Sequence, residues 1–444
     1  MRRVLLIAYF FPPVGGVGVE RTLKHVTYLP ALGWEPVVVT VANSGYRIVD
    51  PATEARIPAG VEIHRTGTAE PSHLRRALAR LAGRSGAGSA SLPGRSGDAA
   101  SSSLGSRLRG AANGAWGATI PLVFWPDDQV LWAPGAIRAA RRIHAAHPVD
   151  AVYSSSPPIS GHLAARRVAR AIGRPWIADF RDPWVDNAFA RRLTPVHRAA
   201  QRALERRIVT DADRVVLSTA RMRDQFAERY PGLADRFVWV PNGYDLADLD
   251  VPAADRADDG TFRLIYAGSL YAESELDLFL DGVELLLRRA PEVRDRLRVE
   301  FVGWFSQANA AIAARRFPAV APIATQTGHV PRDRAIALQR SADAGLILIS
   351  GIGNRALVAT SKIYEYLGLD LPVLAVVPPG EVREILAGLD WGVSVDPTPE
   401  GVAAGIERIM ELPRPDRPAD PERRFERRAL TERLAGLLDE IASS

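Results

Sequence analysis

The feature that most constrains this chain is an alternation of short apolar runs with longer amphipathic ones, sustained from end to end. Residues 4–10, 36–41, 61–66, 151–155, 176–180, 214–218 and 237–240 read as strands. Residues 21–32, 159–172 and 197–209 carry the period of a helix. A polar, Pro- and Asp-rich stretch at 245–260 interrupts the pattern, which then restarts with strands at 262–267, 298–302, 325–330, 344–349, 372–377 and 392–395. Such alternation implies the α/β class, with parallel sheets covered by helices. The 444 residues are too many for one compact core and enough for two such domains. The expected divisions are 1–248, 249–412 and 413–444. The last holds Pro413, Pro415, Pro418 and Pro421, then a charged amphipathic helix over about 422–441 that returns to the first domain.

Composition removes several classes of function. No cysteine is present, which excludes disulfides, thiolate metal ligands and thiol nucleophiles. No run approaches the roughly eighteen apolar residues of a spanning helix. The apolar start at 4–11 is short and meets Pro12-Pro13 and a glycine loop, so it reads as a first strand rather than a secretory signal, and a cytoplasmic location follows. Residues 83–115 are rich in Gly, Ser, Ala and Arg and cannot form a core. They read as a solvated excursion. Peripheral docking on an anionic membrane, helped by Arg75, Arg76, Arg80, Arg107 and Arg109, is the alternative. The basic residues form no stripe interleaved with aromatics, so a nucleic-acid partner is not expected. Of 56 basic residues only Lys24 and Lys362 are lysine. Where arginine is the default, a lysine marks a place that prefers a compact ammonium, or has survived by chance.

Ligands of open α/β sheets bind beyond the carboxyl ends of the strands, and the chemically informative residues lie there. The first strand is followed by Pro12-Pro13-Val14-Gly15-Gly16 and a helix carrying Arg21 and Lys24, either an anion-accepting turn or a plain tight one. Asp179-Phe180-Arg181-Asp182-Pro183-Trp184 crowds charge at another strand end. That charge needs a ligand or an internal Arg181–Asp182 pair. His162, at the start of the next-upstream helix, is a weaker candidate, with a surface position as its alternative. In the second half, Gly268-Ser269 ends a strand. Arg355 follows another, and Thr360-Ser361-Lys362 opens a helix with Thr360 or Ser361 as its N-cap. Backbone N–H groups, a hydroxyl and an ammonium would converge there on a diphosphate, with Glu365 one turn on to accept from a ribose diol. A capped helix with a solvated Lys–Glu face is the plainer reading.

In order and spacing these motifs resemble the family 4-like glycosyltransferases of GT-B fold, over nearly the whole chain. The Pro-Pro-x-Gly-Gly turn looks like the acceptor-side glycine loop, and Asp179–Trp184 resembles an R-D-P-W segment of a bacterial subgroup. Pro241-Asn242-Gly243 is similar to the end of the first domain, and Ser361–Leu367 followed by Pro372–Ala375 to the donor-binding helix and strand. The resemblance implies two Rossmann-like domains facing a cleft and a nucleoside diphosphate sugar as co-substrate. It implies transfer to a hydroxyl acceptor of polysaccharide, lipid-linked or natural-product type. It also implies retention of anomeric configuration, with the leaving phosphate able to take the acceptor's proton. The base would meet backbone near Val330 and the diphosphate Gly268, Ser269 and Lys362. Arg181 and Asp182 would stand in for the usual acceptor-side histidine. No D-x-D motif stands out, so no metal is expected. Four positions depart from the family. Leu357 replaces its first donor-site glutamate, Asp370 a glycine, and Ser269 and Glu275 a basic pair. A non-catalytic nucleotide-sugar-binding subunit and a nucleotide-sugar epimerase of the same fold are the alternatives.

Overall fold

The computed structural model describes residues 1–46, 49–73, 124–185, 194–270, 273–349, 359–389, 391–413 and 416–443. The expected excursion at 83–115 therefore lies outside the described residues, as do Arg355 and Leu357.

Strands form where the apolar runs sit. They are β1 (Arg2–Ile7), β2 (Trp34–Val41), β3 (Glu62–Thr66), β4 (Ala151–Ser156), β5 (Trp176–Phe180), β6 (Arg214–Leu217) and β7 (Phe237–Trp239). β8 (Phe262–Ala267), β9 (Leu297–Val302), β10 (Ala324–Gly328), β11 (Ala344–Leu348), β12 (Val373–Val376) and β13 (Gly392–Val395) follow. The first seven make one sheet, ordered β3-β2-β1-β4-β5-β6-β7, and the others a second, ordered β10-β9-β8-β11-β12-β13. Pairing is parallel, with Val4 opposite Pro36 on one side and Ala151 on the other. Each sheet begins at an inner strand and winds outward both ways, which creates a switch point between β1 and β4 and another between β8 and β11. Strands buried on both faces need unbroken apolar runs. Val4, Leu5, Leu6 and Ile7 in β1 and Val373, Leu374 and Ala375 in β12 accordingly have no exposure.

The chain divides into two compact units. One comprises Met1–Phe180, Leu193–Val215 and Leu437–Ser444, the other Arg181–Arg192 and Val216–Gly436. The end of the last helix, Arg427–Ala442, thus belongs to the first unit. There Asp439 accepts from Trp34 Nε1 at 3.0 Å and pairs with Arg2 at 3.0 Å. No helix among the described residues is long and apolar enough to cross a membrane.

Two glycines in the second unit permit contacts no other residue would. A Cβ on Gly243 would fall 2.0 Å from the Phe425 carbonyl oxygen, next to the bond from Tyr244 N to that oxygen. One on Gly345 in β11 would fall 2.5 Å from the Tyr366 ring. The buried Tyr366 hydroxyl accepts from Ala267 N at 3.3 Å and has the Ile265 and Leu346 carbonyls at 3.2 and 3.3 Å for its own proton, so it ties β8 to β11. Gly345→Ala is expected to lower stability by about 1–3 kcal/mol, the usual cost of overpacking. An unchanged urea midpoint would show that the ring moves aside freely.

Candidate functional site

The switch point of the second sheet carries the densest chemistry. β8 runs into Gly268, whose φ of 128° is one that glycine tolerates and other residues rarely adopt. A Cβ there would stand 2.9 Å from Lys362 Cε and 3.0 Å from Nζ. The lysine therefore lies directly over bare backbone. Gly303, after β9 and at φ 136°, also lies close, and a Cβ there would meet the Gly268 oxygen at 2.3 Å.

Lys362 Nζ sits 4.7 Å from the centre of the Tyr266 ring, a cation–π contact. Burial lowers its pKa from the ordinary lysine value, while the charges of Glu365 and Glu275 act against that shift. Among the described residues its ammonium has no ion-pair partner. Lys362 is the second residue of the helix Ser361–Gly368. Thr360 occupies the N-cap position, as one of the two expected residues, but its side chain makes no capping bond. Among the described residues no side chain caps that end of the helix, a setting that favours anions. Ser361 is exposed and Ser269 half-buried. The Ser269 carbonyl accepts from Tyr266 OH at 3.2 Å. Val330 lies just past β10, which ends at Gly328. Glu365 pairs with Arg332 at 3.1 Å. Asp370, where the resembled family has glycine, takes φ 50°, a left-handed geometry that aspartate tolerates better than most residues, and accepts from Ala419 N at 2.8 Å.

The candidates around the seven-stranded sheet are placed differently. Gly15 is buried, and Gly16, at φ 93°, is the N-cap of the helix Val17–Tyr28 with no side-chain cap. Arg21 on that helix and Asp179 at the end of β5 face each other in the interior. Nε to Oδ2 is 2.6 Å and Nη2 to Oδ1 is 3.0 Å, with side-chain exposures of 1% and 0%. Tyr153 donates to the same carboxylate. Burial alone would lower the Arg21 pKa, but the charge of Asp179 and the Tyr153 contact outweigh it and hold the guanidinium above its ordinary value. His162 is not on the helix surface. It is fully buried, its Nδ1 lies 2.7 Å from Ser154 Oγ, and its ring packs on Phe180 at 4.6 Å. The apolar stripe of the helix Ile159–Ile172 begins at its first turn and carries the histidine inward. Arg181 is buried and its carbonyl accepts from Ser218 Oγ at 2.7 Å, whereas Asp182 and Trp184 are half-buried. Arg181 and Asp182 follow a strand of the seven-stranded sheet, while Lys362 belongs to a helix beside the six-stranded one.

Asp127 caps the helix Ile159–Ile172 from outside, accepting from Ser160 N at 2.8 Å and Ser160 Oγ at 2.5 Å. Burial pushes its pKa up to about 6, above the ordinary 3.8. Between those two values the folded chain holds a proton that the unfolded chain releases. Stability should therefore fall as pH rises from about 4 to about 6 and level off above, by roughly 1–3 kcal/mol after solvent screening. Asp127→Asn should flatten that slope in urea midpoints taken across the window. An identical slope in the variant would assign it to other groups.

Sequence reasoning missed Tyr266 as a partner for Lys362 and Arg332 as a partner for Glu365. Both were adjacent to motifs already singled out, Tyr266 two residues before Gly268 and Arg332 two after Val330. No local pattern marks them.

Residues 95–243 match the glycosyl transferase 4-like domain. That segment, about a third of the chain, is similar to family 4-like glycosyltransferases, and the two parallel-sheet domains have the GT-B fold. A D-inositol 3-phosphate glycosyltransferase of Geodermatophilus obscurus is 34% identical over 187 residues, 40% of this chain and 34% of that protein, so the match spans about a third of the relative's length. The glycogen synthase of Mycobacterium tuberculosis is 24% identical over 454 residues, covering 98% of this chain and 91% of the synthase. Among solved structures, Anabaena HepE in complex with UDP superimposes with a TM-score of 0.61 at 13% identity, covering 99% of this chain and all of HepE. HepE is also solved with UDP-glucose. At that identity the likeness concerns the fold, the two parallel-sheet domains.

Proposed function

We propose that the chain is a retaining glycosyltransferase that moves a sugar from a nucleoside diphosphate to a hydroxyl acceptor and requires no metal. One observation carries the reading. A half-buried lysine, with no ion-pair partner among the described residues, lies against the glycine turn after β8 and beside an uncapped helix N-terminus. Cleaving the bond between the anomeric carbon and the diphosphate leaves the electron pair, and a full negative charge, on the leaving group. Fixed donors at that point stabilise the transition state more than the ground state. Lys362, the N–H groups of Ser361 and Lys362, and the turn at Gly268 and Ser269 take this role, joined by Arg355. Glu365 accepts from the ribose, and backbone near Val330 meets the base. The acceptor oxygen bonds to the anomeric carbon on the face the diphosphate leaves, and its proton passes to the departing phosphate.

Gly15, Gly16, Asp182 and Trp184 serve the acceptor, with Arg181 holding its segment. Arg21, Asp179 and His162, all buried, act as the framework of that region. Uracil is the first base to test, because HepE, a structural neighbour, is solved with UDP. The test is thermal stabilisation of the full chain by UDP, GDP, TDP and ADP and their sugar conjugates, with and without EDTA. A shift of several degrees for one nucleotide, indifferent to EDTA, supports the reading. Loss of the shift in EDTA would overturn metal independence. Tight binding with no turnover would favour a non-catalytic subunit.

A further inference from the structure

We propose that Arg332 is a positioning residue that fixes Glu365 as a ribose acceptor, and so sets a preference for ribonucleotides over deoxyribonucleotides. The inference rests on the donor-site reading above and extends it to a residue which that reading does not use. Arg332 Nη1 lies 3.1 Å from Glu365 Oε1. The two sit on different helices, Arg332 at the first position of Arg332–Arg340 and Glu365 within Ser361–Gly368. Pro331 precedes Arg332 as N-cap at φ −55° and ψ 152°, so its ring fixes the direction in which the helix starts.

A glutamate on its own helix has several rotamers, and here one of them leads toward Lys362, three residues back on the same face. Glu365 acts on Lys362 through its charge, yet no ion pair forms between them among the described residues. Holding Oε1 on Arg332 does two things at once. It keeps the carboxylate off the ammonium, which stays over Tyr266 and Gly268. It also leaves Oε2 in one orientation for a hydroxyl donor. Arg332 lies two residues beyond Val330, so one short segment carries both the backbone assigned to the base and the group that orients the ribose acceptor. As a stabilising contact the pair counts for little, because the arginine is 45% exposed. Its position gives it a use that its strength does not.

The test is calorimetric titration of the full chain with UDP, GDP and ADP and their 2′-deoxy counterparts. The wild type should prefer the ribo form of the nucleotide that binds tightest by about tenfold or more, the scale of one hydrogen bond to a charged group. Arg332→Ala should shrink that preference to about threefold or less with little change in thermal midpoint, and Arg332→Lys should retain part of it. In a Glu365→Gln background, Arg332→Ala should not change the ratio further. If Glu365→Gln abolishes the preference and Arg332→Ala leaves it intact, Arg332 is only a surface ion pair and the proposal is overturned. If no nucleotide binds the wild type, or Glu365→Gln leaves the ratio unmoved, the donor-site reading itself fails and takes the proposal with it.

Discussion

Lys362→Ala is expected to lower kcat by about a hundredfold or more, the scale of losing one preorganised donor at a developing charge. KM for the donor should change far less, because the ammonium matters most when the diphosphate carries its full charge. The environment supports so large an effect. Burial partly strips the ammonium of water, which lowers its pKa, and it lies against a turn where glycine leaves no side chain between lysine and ligand. Little reorganisation is left to do at the moment of bond cleavage. Lys362→Arg should rescue only weakly, since a planar guanidinium needs more room than the 3.0 Å between Nζ and a would-be Gly268 Cβ implies. The measurement is release of nucleoside diphosphate in single turnover. An unchanged rate constant for Lys362→Ala would remove the residue from the mechanism.

Arg21→Ala should destabilise the protein by about 3–5 kcal/mol, because it strands the Asp179 carboxylate in an interior where neither partner meets water. The same arithmetic predicts that replacing both partners, as Arg21→Met with Asp179→Asn, recovers most of the loss. The chain has two units, so the reading should be local: amide exchange in β5 together with the urea midpoint. Faster exchange in β5 for the single variant and near-normal exchange for the double would support the pair as a scaffold. A loss below about 1 kcal/mol for Arg21→Ala would mean that Tyr153 and its neighbours hold the carboxylate without the arginine. The function depends on this pair indirectly. Asp179 sits two residues before Arg181, so the pair and Tyr153 together pin the end of the strand from which Arg181 and Asp182 emerge.

Much of this is legible in the sequence. Strand position depends on runs of side chains that neighbour one another along the chain, and a run such as Val4-Leu5-Leu6-Ile7 has few other uses. The helix opening at Ser361, the glycine turn after β8 and the break near residue 250 are local signals of the same kind. What stayed hidden was the partner of each charge. The reading placed Arg21 and Asp179 toward a ligand, and they met each other 158 residues apart. His162, a weaker candidate with a surface position as its alternative, is carried by the turn of its helix to a buried place against Phe180. Asp370 looked like a lost glycine, and the structure shows an aspartate in the glycine's conformation with a bond of its own.

By itself, then, the sequence determined the two α/β domains, the strand ends where chemistry gathers and the helix that opens at Ser361, because each follows from periodicity and propensity within a few residues. Only the tertiary structure decided that Lys362 lies over Tyr266 and Gly268, that Arg332 holds Glu365, and that Arg21 is spent on Asp179. The physical reason is that a charge has no preferred partner in sequence. It takes whichever opposite charge, ring or backbone group the packed sheets bring within a few ångströms, and burial then makes that choice costly to undo.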